Sequence, residues 1–230
     1  MMKSQTTSLA LCAVVLSFTT MSSACLAKSS EHAGGTKSGA FRTAVHSSIK
    51  HASASSHVAP IMKSLNGVTT VEEEVDGKTY HIGRTIVNAS PENVFAVITD
   101  YDHSTKLFDN LKKATIVATN PENGTTDVSF SLKGLANVWN FDYVLRMKET
   151  YPSLIEFERV SGAFKANQGY WKFEPLDAHG KKTLVTYAKF IDGGMLPQSM
   201  VKKQVKDAMP TVMANVKATA EARATQVSLK

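Results

Sequence analysis

The chain has 230 residues, of which 43% are hydrophobic and 20% charged, a composition that excludes a collagen-like repeat and a wholly disordered chain. Its formal net charge of +6 is concentrated in the first 60 residues, leaving about +2 for residues 61–230, so charge alone calls for no nucleic-acid partner.

Lys3 is the only charge before Lys28, and the run Leu9–Phe18 between them is mostly apolar and leads into small residues. A positive start, a short apolar stretch and a small-residue exit predict a secretory signal peptide over residues 1–27. The stretch falls short of the roughly 20 apolar residues of a membrane span. Cleavage after Ala27 is the preferred reading; the rival is lipoprotein processing at Cys25, which usually has Leu three residues earlier where Ser22 stands. Either way Cys12 leaves, and Cys25 leaves or becomes a lipidated N-terminus. The exported protein, expected in the periplasm, then has no internal disulfide, thiol nucleophile or Cys-ligated zinc.

Residues 28–60 are rich in Ser, Ala, Gly, Thr and His, with Glu31 the lone acid against Lys28, Lys37, Arg42 and Lys50. Such a segment buries too little apolar surface to offset the entropy of ordering, and it reads as a flexible linker. Its excess positive charge is compatible with transient contact at an anionic membrane surface. His32, His46, His51 and His57 are irregularly spaced and lack nearby carboxylates, which favours solvated imidazoles over a metal-binding tract. No metal site is assigned.

Regular signals begin at residue 68. Val68–Val75 and Tyr80–Asn88 flank Asp76-Gly77, a strong hairpin signal because a type I′ turn needs positive φ at both central residues. Ser90-Pro91-Glu92 opens a helix with a hydroxyl cap, a proline where no N–H is needed and an acid near the positive dipole end. A short helix is expected over His103–Phe108. Six strands follow, bounded by turn residues: Lys113–Thr119, Thr125–Leu132, Asn137–Glu149, Ser153–Val160, Gly169–Pro175 and Thr183–Ile191. After Pro197 the period changes: Val201, Val205, Met209, Val212, Met213, Val216 and Ala220 recur every three or four residues on a long terminal helix, with a kink expected at Pro210. The fold class is α+β: a curved antiparallel sheet of about seven strands plus one N-terminal hairpin strand, wrapped around the terminal helix.

The chain carries Ser90-Pro91-Glu92-Asn93-Val94-Phe95 leading to Asp100-Tyr101-Asp102, Gly162-Ala163-Phe164 followed by Gly169-Tyr170-Trp171-Lys172-Phe173, Thr183–Tyr187, and Leu196-Pro197 before the helix. In this order and spacing these stretches resemble the START-like superfamily (SRPBCC, helix-grip), and within it the bacterial polyketide cyclase/dehydrase and lipid transport group that includes coenzyme-Q-binding proteins. The resemblance covers about residues 80–225 and departs from the group at Asp109, where Pro is common. It implies a START-like ligand-binding domain over residues 61–230 with a deep apolar cavity between sheet and terminal helix.

Alternation identifies the residues facing that space. One face of Asn137–Glu149 carries Trp139, Phe141, Tyr143, Leu145 and Met147; Val128, Phe130 and Leu132 align likewise, as do Trp171 and Phe173. Val185, Tyr187 and Ile191 follow less cleanly, and Met209 and Met213 face them from the helix. Periodicity does not separate a lined cavity from a filled core. Ile155, Phe157 and Arg159 share a face, which predicts either a ligand head-group contact for Arg159 or a side chain that reaches solvent at the strand end or pairs with an acid.

No catalytic constellation emerges. His81, His103 and His179 share no predicted face with a carboxylate or serine nucleophile, and no Gly-rich phosphate loop marks a cofactor site. The expected function is an exported carrier of a hydrophobic small molecule: lipid, fatty acid, sterol-like or quinone. One competing reading is a cyclase or dehydratase using Tyr143, Tyr187 and Arg159. Against it, the family's cyclases act on carrier-protein-tethered chains inside the cell. Another is an envelope interaction module docking through Lys202, Lys203 and Lys206.

Overall fold

The computed structural model describes residues 67–134 and 140–228. The expected signal peptide and linker, and Trp139, lie outside these residues. Strand β1 (Val68–Val75) and strand β2 (Lys78–Val87) form the expected hairpin, with Asp76 at φ 50° and Gly77 at φ 69°. Helix α1 (Pro91–Ile98) starts where the sequence places it: the Ser90 hydroxyl accepts from the Asn93 N–H at 3.4 Å, and Pro91 occupies the first turn. Ser90→Ala is therefore expected to cost about 1 kcal/mol, read as a lower midpoint in urea denaturation.

A 3-10 turn over Tyr101–Lys106 replaces the expected short helix at His103–Phe108. The strands β3 (Leu111–Asn120), β4 (Thr125–Lys133), β5 (Asn140–Thr150), β6 (Leu154–Gly162), β7 (Ala166–Pro175) and β8 (Thr183–Asp192) complete an eight-stranded sheet. Its order is β1-β2-β8-β7-β6-β5-β4-β3, antiparallel throughout. Consecutive strands pair from β3 to β8, while the segment containing α1 carries the chain from β2 to the far edge. Helix α2 (Gln198–Ser228) covers one face and runs as helix through Pro210, whose ring is exposed. This is the α+β architecture that the alternation and the terminal periodicity imply, and the helix-grip fold that the resemblance implies.

The C-terminal half of α2 is fastened to the sheet side: Lys217 Nζ donates to the Ile86 carbonyl at 2.6 Å, and the Glu221 carboxylate accepts from the Asn88 backbone N–H at 2.8 Å. Farther along, Asn215 Nδ2 donates to the Leu107 carbonyl at 3.2 Å. At Gly83 the helix comes so near that an added Cβ would lie 2.8 Å from Met213 and 2.9 Å from Met209. This close approach is the reason the helix and β2 form one seam of the core.

One feature departs from a sheet with a single apolar face. On the face of β2 and its neighbours away from α2, Tyr80, Ile82, Tyr170 and Ala188 form a second buried cluster, with Phe190 5.7 Å from Tyr80. Arg84 lies on that face too, 5% exposed and paired with Glu73 of β1 at 3.2 Å. β1 is thus more than an appendage: it supplies the carboxylate that compensates a buried guanidinium.

Candidate functional site

The main cavity, about 220 Å³, lies between the sheet and the N-terminal half of α2. The period of two along each strand aims every second side chain into it. β4 contributes Phe130 and Leu132; β5 contributes Phe141, Tyr143, Leu145 and Met147; β6, β7 and β8 contribute Phe157, Trp171 and Tyr187. On the opposite wall, Val201, Val205, Ala208, Met209 and Val212 recur at the spacing of one helical face. The end near α1 is closed by Tyr101, Ser104 and Phe108, and the Tyr101 hydroxyl donates to Glu149 at 2.7 Å.

Aromatic contacts stiffen the strand wall. The rings of Trp171 and Tyr187 stack with centroids 3.8 Å apart and planes 5° from parallel. Phe130 stacks on Tyr143 at 5.5 Å, and Phe164 meets Tyr143 edge-on at 5.2 Å. Such pairs contribute about 0.5–1.5 kcal/mol each beyond their buried area, so the wall keeps its shape whether or not anything occupies the cavity.

The structure thus brings Phe130, Phe141, Tyr143, Phe157, Trp171, Tyr187 and Met209 together around the cavity. Three expected residues sit elsewhere. Phe173 packs beneath α1, edge-on to Phe95 at 6.0 Å, because β7 continues past the cavity toward the helix it supports. Met213 is fully buried at the Gly83 seam. Arg159 does not line the cavity. The β5–β6 register slips where Val144 pairs with Ser161 but Leu145 with Arg159, and the guanidinium turns back to donate to the Gly162 carbonyl at 2.9 Å. That placement keeps Arg159 out of the cavity lining, and its Nε is buried with no hydrogen-bond partner among the described residues, so the side chain does not simply reach solvent. Trp139 is outside the described residues.

The residue that sequence reasoning passed over is Lys189. It occupies the inward position of β8 between Tyr187 and Ile191, and all three line the cavity. The signal was present, since the alternation that assigns Tyr187 and Ile191 inward assigns Lys189 inward as well. Burial pushes its ammonium down to about 8. Burial raises the phenols of Tyr143 and Tyr187 above the usual range, and Tyr143 raises Tyr187 further. Both are therefore neutral at pH 7 and keep their hydroxyl protons.

The expectation that no histidine faces a carboxylate needs correction. His103 Nδ1 lies 2.8 Å from Asp100 and His81 Nδ1 lies 3.6 Å from Glu72. The first pair is exposed, three residues apart on the 3-10 turn, and outside the cavity lining. His81 is buried beneath the Lys202 and Lys206 side of α2, and its imidazole pKa is lowered by burial. The basic helix face is partly engaged: Lys206 reaches Glu72 at 3.6 Å and Lys202 reaches the Thr79 hydroxyl at 3.4 Å. Among the described residues no group of three or more His, Cys, Asp or Glu side chains is placed to hold a metal, and no helix is long and apolar enough to cross a membrane.

Residues 87–217, more than half of the chain, match the family model described as polyketide cyclase / dehydrase and lipid transport. Among solved structures, the chain is similar to the STAR-related lipid transfer protein from Xanthomonas axonopodis, with 16% identity over 69% of this chain and 96% of that one and a TM-score of 0.58. Human STARD10 matches at 16% identity, over 72% of this chain and 74% of that one, with a TM-score of 0.59. The Zhui aromatase/cyclase from Streptomyces sp. R1128 matches at 14% identity over 70% and 96%, with a TM-score of 0.50. At these identities the likeness is one of fold. No curated protein matches the sequence.

Proposed function

The chain belongs to the polyketide cyclase/dehydrase and lipid transport family, and from that premise we propose that it is an exported, periplasmic carrier that holds a hydrophobic small molecule. The observation that carries this reading is the cavity wall, mainly aromatic and aliphatic on the sheet side apart from Lys189 and Lys133, and mainly aliphatic on the α2 side apart from Gln204. Each methylene moved from water to such a wall contributes about 0.8 kcal/mol, so a chain of about ten carbons gains roughly 8 kcal/mol before ordering costs. Retention needs no special chemistry. The volume of about 220 Å³ lies below the roughly 300–1,000 Å³ usual for small-molecule sites, which favours a single-chain ligand over a two-chain lipid.

The test is native purification of the exported protein, organic extraction and mass spectrometry of what remains bound. A near-stoichiometric single-chain amphiphile supports the carrier; a clean, empty, folded protein opposes it. Ala208, on the cavity side of α2, offers a second check. Ala208→Phe fills the space from the helix side and is expected to weaken binding of any single-chain ligand by more than tenfold, measured by displacement of a fluorescent fatty-acid analogue.

A second reading, cyclase-type chemistry, is favoured by one observation, the pair of buried phenols of Tyr143 and Tyr187 within the same cavity. Conversion of a bound compound that is lost in Tyr143→Phe, with binding retained, would establish it.

A further inference from the structure

Resting on the reading of the cavity as a ligand site, we propose that its ligand is a single-chain carboxylate and that the Lys189 ammonium receives the carboxylate head group. Three observations support this. First, Lys189 is part of the cavity wall, set by the β8 alternation between Tyr187 and Ile191 and fixed in register opposite Gly169 of β7 and His81 of β2. Second, among the described residues Lys189 makes no ion pair, and the lining contains no Asp or Glu; its only other charged member is Lys133, which is exposed. Among the described residues the lining supplies no counter-charge, and an entering anion would supply one. Third, the hydrogen-bonding neighbours are of the right kind: Tyr187, two residues away on the same face, and Tyr143, which interacts with it electrostatically, are both neutral donors.

The number of charges selects the head group. A buried cation is costly alone and is stabilised by one hydrogen-bonded anion. A phosphate monoester would bring close to two negative charges to one ammonium and leave the excess in an apolar wall. A phosphodiester of the diacyl kind brings a second chain that a cavity of about 220 Å³ does not favour. A carboxylate balances Lys189 one for one, in a cavity whose lining also holds the phenols of Tyr143 and Tyr187. The lowered ammonium pKa agrees with this, since an unpaired charge at this position is weakly held until an anion arrives.

Decanoate and decanol distinguish the head group from the chain. Delipidated full-length protein is titrated with each at pH 7, with the intrinsic fluorescence of its two tryptophans, Trp139 and Trp171, as the signal, for wild type, Lys189→Met and Lys189→Arg. The expected result is decanoate affinity at least tenfold weaker in Lys189→Met, decanol affinity equal or tighter, and the decanoate preference retained in Lys189→Arg. A decanoate-to-decanol ratio unchanged by Lys189→Met, with both bound, overturns the head-group assignment and leaves the carrier standing. A wild-type protein that binds decanol but not decanoate does the same. Binding of neither compound removes the carrier reading and this proposal together.

Discussion

Substituting alanine for Gly169 is expected to destabilise the protein by more than about 3 kcal/mol, enough to abolish a cooperative melting transition in a domain of ordinary marginal stability. Gly169 lies in β7 between Phe157 of β6 and Lys189 of β8. A Cβ there would fall 2.0 Å from the Ala188 carbonyl oxygen and 2.7 Å from the end of the Phe157 ring. A flexible side-chain end can yield to such an intrusion, but a strand carbonyl cannot. Relief requires β7 and β8 to separate or Phe157 to swing into the cavity it lines, and either change reaches the Trp171–Tyr187 stack on the same strands. Thermal unfolding of Gly169→Ala followed by near-ultraviolet circular dichroism checks this. A melting temperature within a few degrees of wild type would mean that the sheet relaxes more freely than its packing implies.

The same glycine illustrates what was legible in the sequence. Local chemistry announced the elements: Asp76-Gly77 the first turn, Ser90-Pro91 the helix start, and the alternation Phe141, Tyr143, Leu145, Met147 the concave face of β5. These signals act within a few residues, and the structure agrees with them in all eight strands and the long helix. Residues whose role depends on partners far along the chain were less legible. Gly169 read only as a strand boundary, because its crowding comes from Ala188 and Phe157. Phe173 and Met213 have the correct inward parity but lie beyond the cavity, since parity gives the face and not the position along it. Arg159 depended on a register slip between β5 and β6 that no local pattern encodes. Lys189 differs from these. Its parity was visible, and it was obscured because Leu184, Thr186 and Ala188 on the other face of β8 are buried too, which blurs the alternation of that strand.

Lys189→Met is expected to stabilise the ligand-free protein by about 2–3 kcal/mol at pH 7, and the gain is expected to shrink as pH rises. The ammonium ordinarily titrates at 10.5 and is pushed down to about 8 in the folded protein by burial. Below about 8 both folded and unfolded states carry the proton, and the folded state bears the cost of a half-buried charge that makes no ion pair among the described residues. Between about 8 and 10.5 the unfolded chain binds a proton that the folded one does not, so wild-type stability rises with pH, by at most about 1.4 kcal/mol per pH unit. More than half of the cost is relieved by pH 9.5, before the buried phenols of Tyr143 and Tyr187 begin to oppose folding because the unfolded chain ionises its tyrosines more easily. His81, the cross-strand neighbour, with Glu72, Lys202 and Lys206 around it, titrates below this window, and its contribution cancels between variant and wild type. Urea denaturation of both proteins at half-unit steps from pH 7 to 9.5 gives the difference directly; a difference that stays flat would mean that Lys189 already has its charge compensated in the ligand-free protein. Saturating decanoate adds the decisive comparison. An anion held against the ammonium keeps the folded state protonated through this range, so the pH slope of wild type is expected to flatten toward that of Lys189→Met while its absolute stability rises.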